Sequence, residues 1–334
     1  MRRGTWIVLP LVTVLTGACA GGGDEEQAAK AAESTSSTVA ETTSSTEAAT
    51  TTTTAAPATS TTGQASPTTK ATQPTTTAPP GTDTAPFATH AVGPAPTDPA
   101  ELDRMADELI AAETALHDPA TPEAEIPALS RKAQVIYRAL AARPAAMPAV
   151  LARAPEALKG AIDANVTASV ELRTLTGNPR TALPPWKIIP PPPAAELEGY
   201  YREAQSTFGV PWNYLAAVHL VETRMGRIRG VSEAGAQGPM QFMPKTWAAF
   251  GEGDINNPRD AILAAARYLE HNGAPGDMAN ALWNYNHSDR YVKAVTLFAQ
   301  QMEANPRAYL AYHSWQVYYI MTRGDVLLEE GYGS

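Results

Sequence analysis

Glu222 follows Val218 by four residues and Leu215 by seven, a spacing that puts all three side chains on one face of a helix. A carboxyl group is thereby set into an apolar stripe. Desolvation there favours the protonated acid, and the negative end of the helix dipole acts in the same direction. A carboxylic acid that keeps its proton near neutral pH is what protonation of a leaving oxygen in glycosidic cleavage requires. Spacing alone does not separate this reading from that of a partly exposed Glu at the edge of a helix face.

The neighbourhood adds weight. After a short loop comes Gly235-Ala236-Gln237-Gly238-Pro239-Met240-Gln241-Phe242-Met243-Pro244, whose glycines permit a tight turn and close backbone approach by a ligand. Gln241 offers both a donor and an acceptor to an acetamido group. Lys245-Thr246-Trp247 follows directly, and Tyr285-Asn286 stands further on. In order and spacing these blocks resemble the soluble-type lytic transglycosylases, a branch of the lysozyme superfamily, over roughly residues 194–302. Two departures are visible: Thr223 stands where that family often has Ser, and His287-Ser288 replaces the more usual Ala-Gly after Tyr-Asn.

The resemblance implies a mainly α, lysozyme-like catalytic domain acting on peptidoglycan glycan strands. It implies Glu222 as catalytic acid and then base, with the C6 hydroxyl of muramic acid as nucleophile and 1,6-anhydro ends as product. Because that nucleophile belongs to the substrate, a second carboxylate is not obligatory. Thr223, Gln237, Met240, Gln241, Tyr285 and Asn286 become the candidate substrate-binding set, with Tyr285 orienting Glu222 or the sugar. Met240 and Tyr285 could equally be core residues. Glu233 and Asp254 read as solvated loop charges, although either, by activating water, would make the enzyme a hydrolytic muramidase. A cell-wall binding protein with a silent groove is the reading from outside enzymology. No cofactor and no metal are expected, since His219, His271, His287 and His313 share no ligand spacing and no nucleotide-binding glycine loop follows a strand.

The elements that must position these residues are helical. Pro211 opens a helix through Leu215 and Val218 that Gly226 can stop; Asn257-Pro258 opens another through Ile262 and Leu269; Ser288-Asp289 begins one through Tyr291, Val295 and Phe298. The tail from Val317 to Leu328, turning at Arg323-Gly324-Asp325, reads as a small β hairpin. Upstream, Asp98-Pro99-Ala100-Glu101 is a helix-start signal, and apolar spacing predicts helices through Leu102 to Leu116, Ile126 to Leu140 and Leu158 to Leu175. This helical module, residues 97–183, carries no catalytic constellation and reads as a spacer or a partner-docking element. A Pro-rich connector, residues 184–193, separates it from the catalytic domain at 194–334.

The chain begins with Arg2-Arg3, an apolar stretch from Trp6 to Leu15, and Leu15-Thr16-Gly17-Ala18-Cys19. This resembles a bacterial lipoprotein signal, which implies a signal peptide at 1–18, lipidation of Cys19 and anchoring to the outer face of the cytoplasmic membrane. Residues 19–96, rich in Thr, Ser, Ala and Pro, lack the large apolar side chains a core needs and read as a disordered tether. With 25 Lys+Arg against 34 Asp+Glu, a net charge of -9, the chain offers little to a polyanion, and nucleic acid is excluded as a partner.

Overall fold

The computed structural model describes residues 91–334, so Cys19 and all but the end of the predicted linker lie outside the described residues. Helices dominate, as expected: α1 (Pro99–His117), α2 (Ile126–Ala142), α3 (Met147–Arg153) and α4 (Glu156–Thr176) come first. The C-terminal region follows with α5 (Ala194–Phe208), α6 (Trp212–Thr223), α7 (Pro244–Phe250), α8 (Pro258–His271), α9 (Met278–Tyr285), α10 (Asp289–Ala304) and α11 (Arg307–His313). The start signals act as read. Asp98 caps α1 by accepting from the Glu101 N–H at 2.9 Å, and Asn257 caps α8 by accepting from the N–H groups of Arg259 and Asp260.

The predicted hairpin is present as β4 (Val317–Met321) and β5 (Gly324–Leu328), paired antiparallel with Met321 opposite Gly324. It is not alone. Ala91–Val92, read from composition as the end of the linker, forms β1 and pairs with the other edge of β5. The Pro-rich connector likewise contains a strand, β2 (Lys187–Ile188), antiparallel to β3 (Ile228–Arg229). Two-residue strands leave no alternating pattern to read, and the partner residues lie far away in sequence.

One hydrophobic core runs through the helical module and the C-terminal region together. Leu109, Ile136, Leu140 and Ile162 belong to it with Leu215, Ile262, Phe298 and Trp315. The joint is made by α10, which lies against α4 on one side and α6 on the other. Polar contacts close it as well: Ser130 donates to the Ala311 carbonyl at 2.5 Å, and Tyr312 donates to Asn165 Oδ1 at 2.7 Å. A second, smaller core of Trp186, Ile188, Ile228, Val317, Tyr319, Met321, Val326 and Leu328 sits under the strands.

Candidate active site

Helix α6 is buried on every side, not along one stripe: each residue from Leu215 to Thr223 is inside. A helix wrapped by protein on all faces carries an ionisable group only at a cost, and Glu222 is exposed by just 1%. Its Oε1 accepts from the Tyr291 hydroxyl at 2.8 Å. Its Oε2 is buried without a hydrogen-bond partner among the described residues. Burial pushes the carboxyl up to about 8, and the Tyr291 hydrogen bond opposes that only in part. At neutral pH Glu222 is therefore a protonated acid.

The helix stops two residues sooner than Gly226 would require. Arg224 is its left-handed cap at φ 54°, its N–H bonding the His219 and Leu220 carbonyls, and Met225 at φ 58° continues the reversal. Such backbone is strained for residues with a Cβ, and here it lies directly beside the carboxyl-bearing turn. On the same helix His219 is fully buried, its Nδ1 2.7 Å from the Tyr201 hydroxyl. Burial lowers it to about 3, so it is neutral and adds no charge beside Glu222.

The glycine-containing block folds as a tight loop. Gln237 and Phe242 exchange two backbone hydrogen bonds of 2.9 Å, and within the loop the Gln241 N–H returns to the Gly238 carbonyl at 3.1 Å. Gly238 has φ 74°, and a Cβ there would stand 2.0 Å from the Ile255 carbonyl oxygen, so no other residue fits. Two neighbours bolt the loop in place. Thr223 Oγ1 donates to the Pro239 carbonyl at 2.6 Å and accepts from the Gly226 N–H at 3.1 Å. Tyr285 donates to the Met240 carbonyl at 2.7 Å.

Thr223 and Tyr285 thus build the site's frame by fixing the neighbouring carbonyls of Pro239 and Met240. Gln241 differs. It is held at φ 53° with Nε2 donating to the Gly238 carbonyl at 2.8 Å, while its buried Oε1 has no partner. Gln237 is half-buried at the base of the loop, and Asn286 is buried just past α9 with its N–H on the Leu282 carbonyl. The residue that touches the carboxyl is Tyr291, which sequence reading placed only as an apolar residue of its helix. Tyr285 lies parallel to it, with ring centroids 6.3 Å apart, but keeps its own hydroxyl for Met240. The available signal was Tyr291's place in the first turn of the helix after Tyr285-Asn286, but a tyrosine there is as common in a core as in a site.

Glu233 and Asp254 are exposed loop residues. Glu233 pairs with Arg180 at 3.4 Å, and Asp254 accepts from the Asn256 N–H at 2.9 Å. Among the described residues no group of three or more His, Cys, Asp or Glu side chains could hold a metal ion, and no helix is long and apolar enough to cross a membrane.

Comparison with known proteins converges on the same stretch. Residues 199–306 match the family described as the transglycosylase SLT domain. A curated relative, the membrane-bound lytic murein transglycosylase F of Thiobacillus denitrificans, is 29% identical over 122 residues, which are 34% of this chain and 26% of that protein. The chain therefore spans about a quarter of the length of the relative it matches. No solved structure matches.

Proposed function

From the premise that residues 199–306 are a transglycosylase SLT domain of the lysozyme-like superfamily, we propose that this chain is a peptidoglycan lytic transglycosylase with Glu222 as its catalytic residue. The observation that carries the proposal is the state of one carboxyl group: buried, protonated at neutral pH, oriented through Oε1 by Tyr291 and unpartnered at Oε2.

In the proposed reaction Glu222 gives its proton to the oxygen of the β-1,4 bond between N-acetylmuramic acid and N-acetylglucosamine. The bond from C1 to that oxygen breaks, and the N-acetylglucosamine side leaves with a free hydroxyl. Positive charge developing at C1 is met by the carboxylate just formed. The muramic C6 hydroxyl then attacks C1 and passes its proton to Glu222, which regenerates the acid and leaves a 1,6-anhydro ring. No water is consumed. Gln241 Oε1 is suited to accept from an N-acetyl N–H, and the backbone of the Gly238 to Gln241 turn, with Gln237 and Asn286, forms the remainder of the sugar-contacting surface. Thr223 and Tyr285 act as positioning residues that fix the Pro239 and Met240 carbonyls.

Analysis of product ends from purified sacculi tests this reading. Non-reducible 1,6-anhydromuramoyl ends, lighter than hydrolysis products by one water, are expected; reducible ends would make the protein a muramidase, and no new ends a binder.

The relative's printed name places that protein at a membrane, and the sequence at Cys19 gives this chain a route to the same place. We read the chain as exported, with Cys19 lipidated and residues 20–90 tethering the domain to the outer face of the cytoplasmic membrane. Cys19→Ala should then move the protein from the membrane fraction to the soluble one or stall its processing, as seen by fractionation and immunoblotting. Unchanged membrane association of the mutant would remove the anchor.

A further inference from the structure

Where the helical module, the hairpin and the end of α6 meet, three arginines and one carboxylate line a common cavity. Arg138 of α2 pairs with Asp325 at 2.7 Å, and Arg173 of α4 reaches both oxygens of Asp325 at 2.8 and 2.9 Å. Arg224, the cap of α6, is 8% exposed and forms no ion pair among the described residues; its guanidinium donates to the Leu220 carbonyl at 3.0 Å. A cavity of about 30 Å³ lies between them, lined by Arg138, Arg173, Arg224, Asp325 and Trp315.

The charges do not balance. Three guanidinium groups and one carboxylate line the cavity, an excess of two positive charges. Arg173 is a quarter exposed and is screened by solvent, so the uncompensated charge falls on Arg138 and Arg224. Arg138 lends its charge to Asp325 yet keeps a buried Nε with no partner. Burial and then Arg138 hold Arg224 down to about 9; Arg138 is itself lowered by burial, with Asp325 opposing that shift and Arg173 adding to it. The rings of Tyr318 and Trp315, 4.9 and 5.8 Å from Arg138 and Arg224, soften the deficit without supplying an anion. Buried charges persist in proteins when they are paired.

We propose that this cavity is a binding site for one small monovalent anion of the halide class, held by Arg138 and Arg224 at the junction of the module, the hairpin and the catalytic helix. The volume favours that class. The cavity has room for more than one water-sized probe, enough for a monatomic anion, and among the described residues no cation beyond the arginines lines it to match a divalent ion's larger desolvation cost. The site gives residues 97–183 a role that their sequence does not announce. They supply two of the three arginines that close the end of α6, two residues from Glu222. An anion there cancels the repulsion between Arg138 and Arg224 and holds the strained cap.

The test uses the full chain at constant ionic strength, with sodium gluconate replaced stepwise by sodium chloride, bromide or sulfate while thermal unfolding is followed. Chloride and bromide should raise the midpoint saturably, by about 5 °C when the anion is in large excess over its Kd, and sulfate should not. Arg224→Met should abolish the saturable response. Because that variant can also fail to fold, crystals of the wild type soaked in bromide provide the second arm, with an anomalous peak expected between Arg138 and Arg224. A midpoint indifferent to halide, a linear response shared by all three salts, or a cavity that holds only water in bromide-soaked crystals would each overturn the site.

Discussion

Two carboxyl groups in this molecule are equally hidden, each exposed by 1%, and the protein treats them in opposite ways. Asp325 in the hairpin is met by Arg138 and Arg173 and accepts hydrogen bonds on both oxygens. Glu222 in α6 is met by a tyrosine hydroxyl on one oxygen and, among the described residues, by no hydrogen-bond partner on the other. The first arrangement satisfies a charge; the second withholds satisfaction and keeps a proton in place. Burial by itself marks neither a structural nor a chemical carboxylate. What separates them is whether the surroundings supply compensation.

Neutralising each group in turn should break that symmetry most visibly. Glu222→Gln preserves shape and the Tyr291 contact but cannot cycle a proton, so turnover on purified sacculi should fall about 10³-fold or more with an unchanged circular dichroism spectrum. Asp325→Asn should do the reverse. It strands Arg138 and Arg173 and should lose about 3–5 kcal/mol of stability, while each molecule that remains folded keeps most of its activity. Exchange of the two phenotypes would mean that the roles have been assigned the wrong way round.

A pH series sharpens the same contrast. The pKa of Glu222 is raised on folding from its ordinary 4.5 to about 8, chiefly by desolvation. A raised carboxyl binds more protons folded than unfolded, so its contribution to stability is fully present below about pH 4.5 and is lost as pH rises through about 8. Glu222→Gln should therefore match the wild type near pH 4 and exceed it at pH 8.5, by something on the order of 4–5 kcal/mol, in parallel thermal melts. Activity of the wild type should fall over the same alkaline limb as the acid is lost.

Removing the Tyr291 hydrogen bond to the carboxyl has a smaller effect. The Tyr291 hydroxyl stabilises the ionised form of Glu222, so Tyr291→Phe should shift the alkaline limb of the activity profile up by about one unit. Turnover should drop about 10-fold, because the carboxylate that takes the C6 proton loses its support. A purely structural Tyr291 would lower stability without moving the limb.

What was legible in the sequence follows from the range of the interactions involved. Glu222, the glycine-containing turn and the helix starts at Asp98 and Asn257 depend on neighbours a few residues away, and spacing carries that information. The sequence reads Tyr285 as orienting Glu222 or the sugar; Tyr285 lies near enough for the Glu222 charge to act on it, but its hydroxyl goes to the Met240 carbonyl and the hydrogen bond to the carboxyl comes from Tyr291. Hydrogen bonds across 69 residues are set by how two helices cross, which no local pattern encodes. Asp325 was visible only as part of a turn, because its partners lie 152 residues away or more and on other helices. The strand at Ala91–Val92 is two residues long and borrows its order from β5, so composition alone assigned it to the linker.

The smallest expected effect belongs to the carboxylates that a hydrolase would need. Inverting hydrolysis requires a second carboxylate to activate water on the face of the sugar opposite the acid, and retaining hydrolysis requires one close enough to attack C1. Glu233 is exposed and engaged with Arg180 in a loop, while Asp254 spends Oδ1 on the Asn256 N–H in a turn of its own. Neither shares a hydrogen bond with Glu222, Tyr291 or Gln241. Glu233→Gln and Asp254→Asn should each leave activity within about twofold of the wild type, the range in which surface substitutions away from a site ordinarily fall. The product ends should remain non-reducible in both. A collapse of activity in either mutant, together with reducible ends from the wild type, would place a water-activating carboxylate opposite Glu222 and convert the proposed lyase into a muramidase.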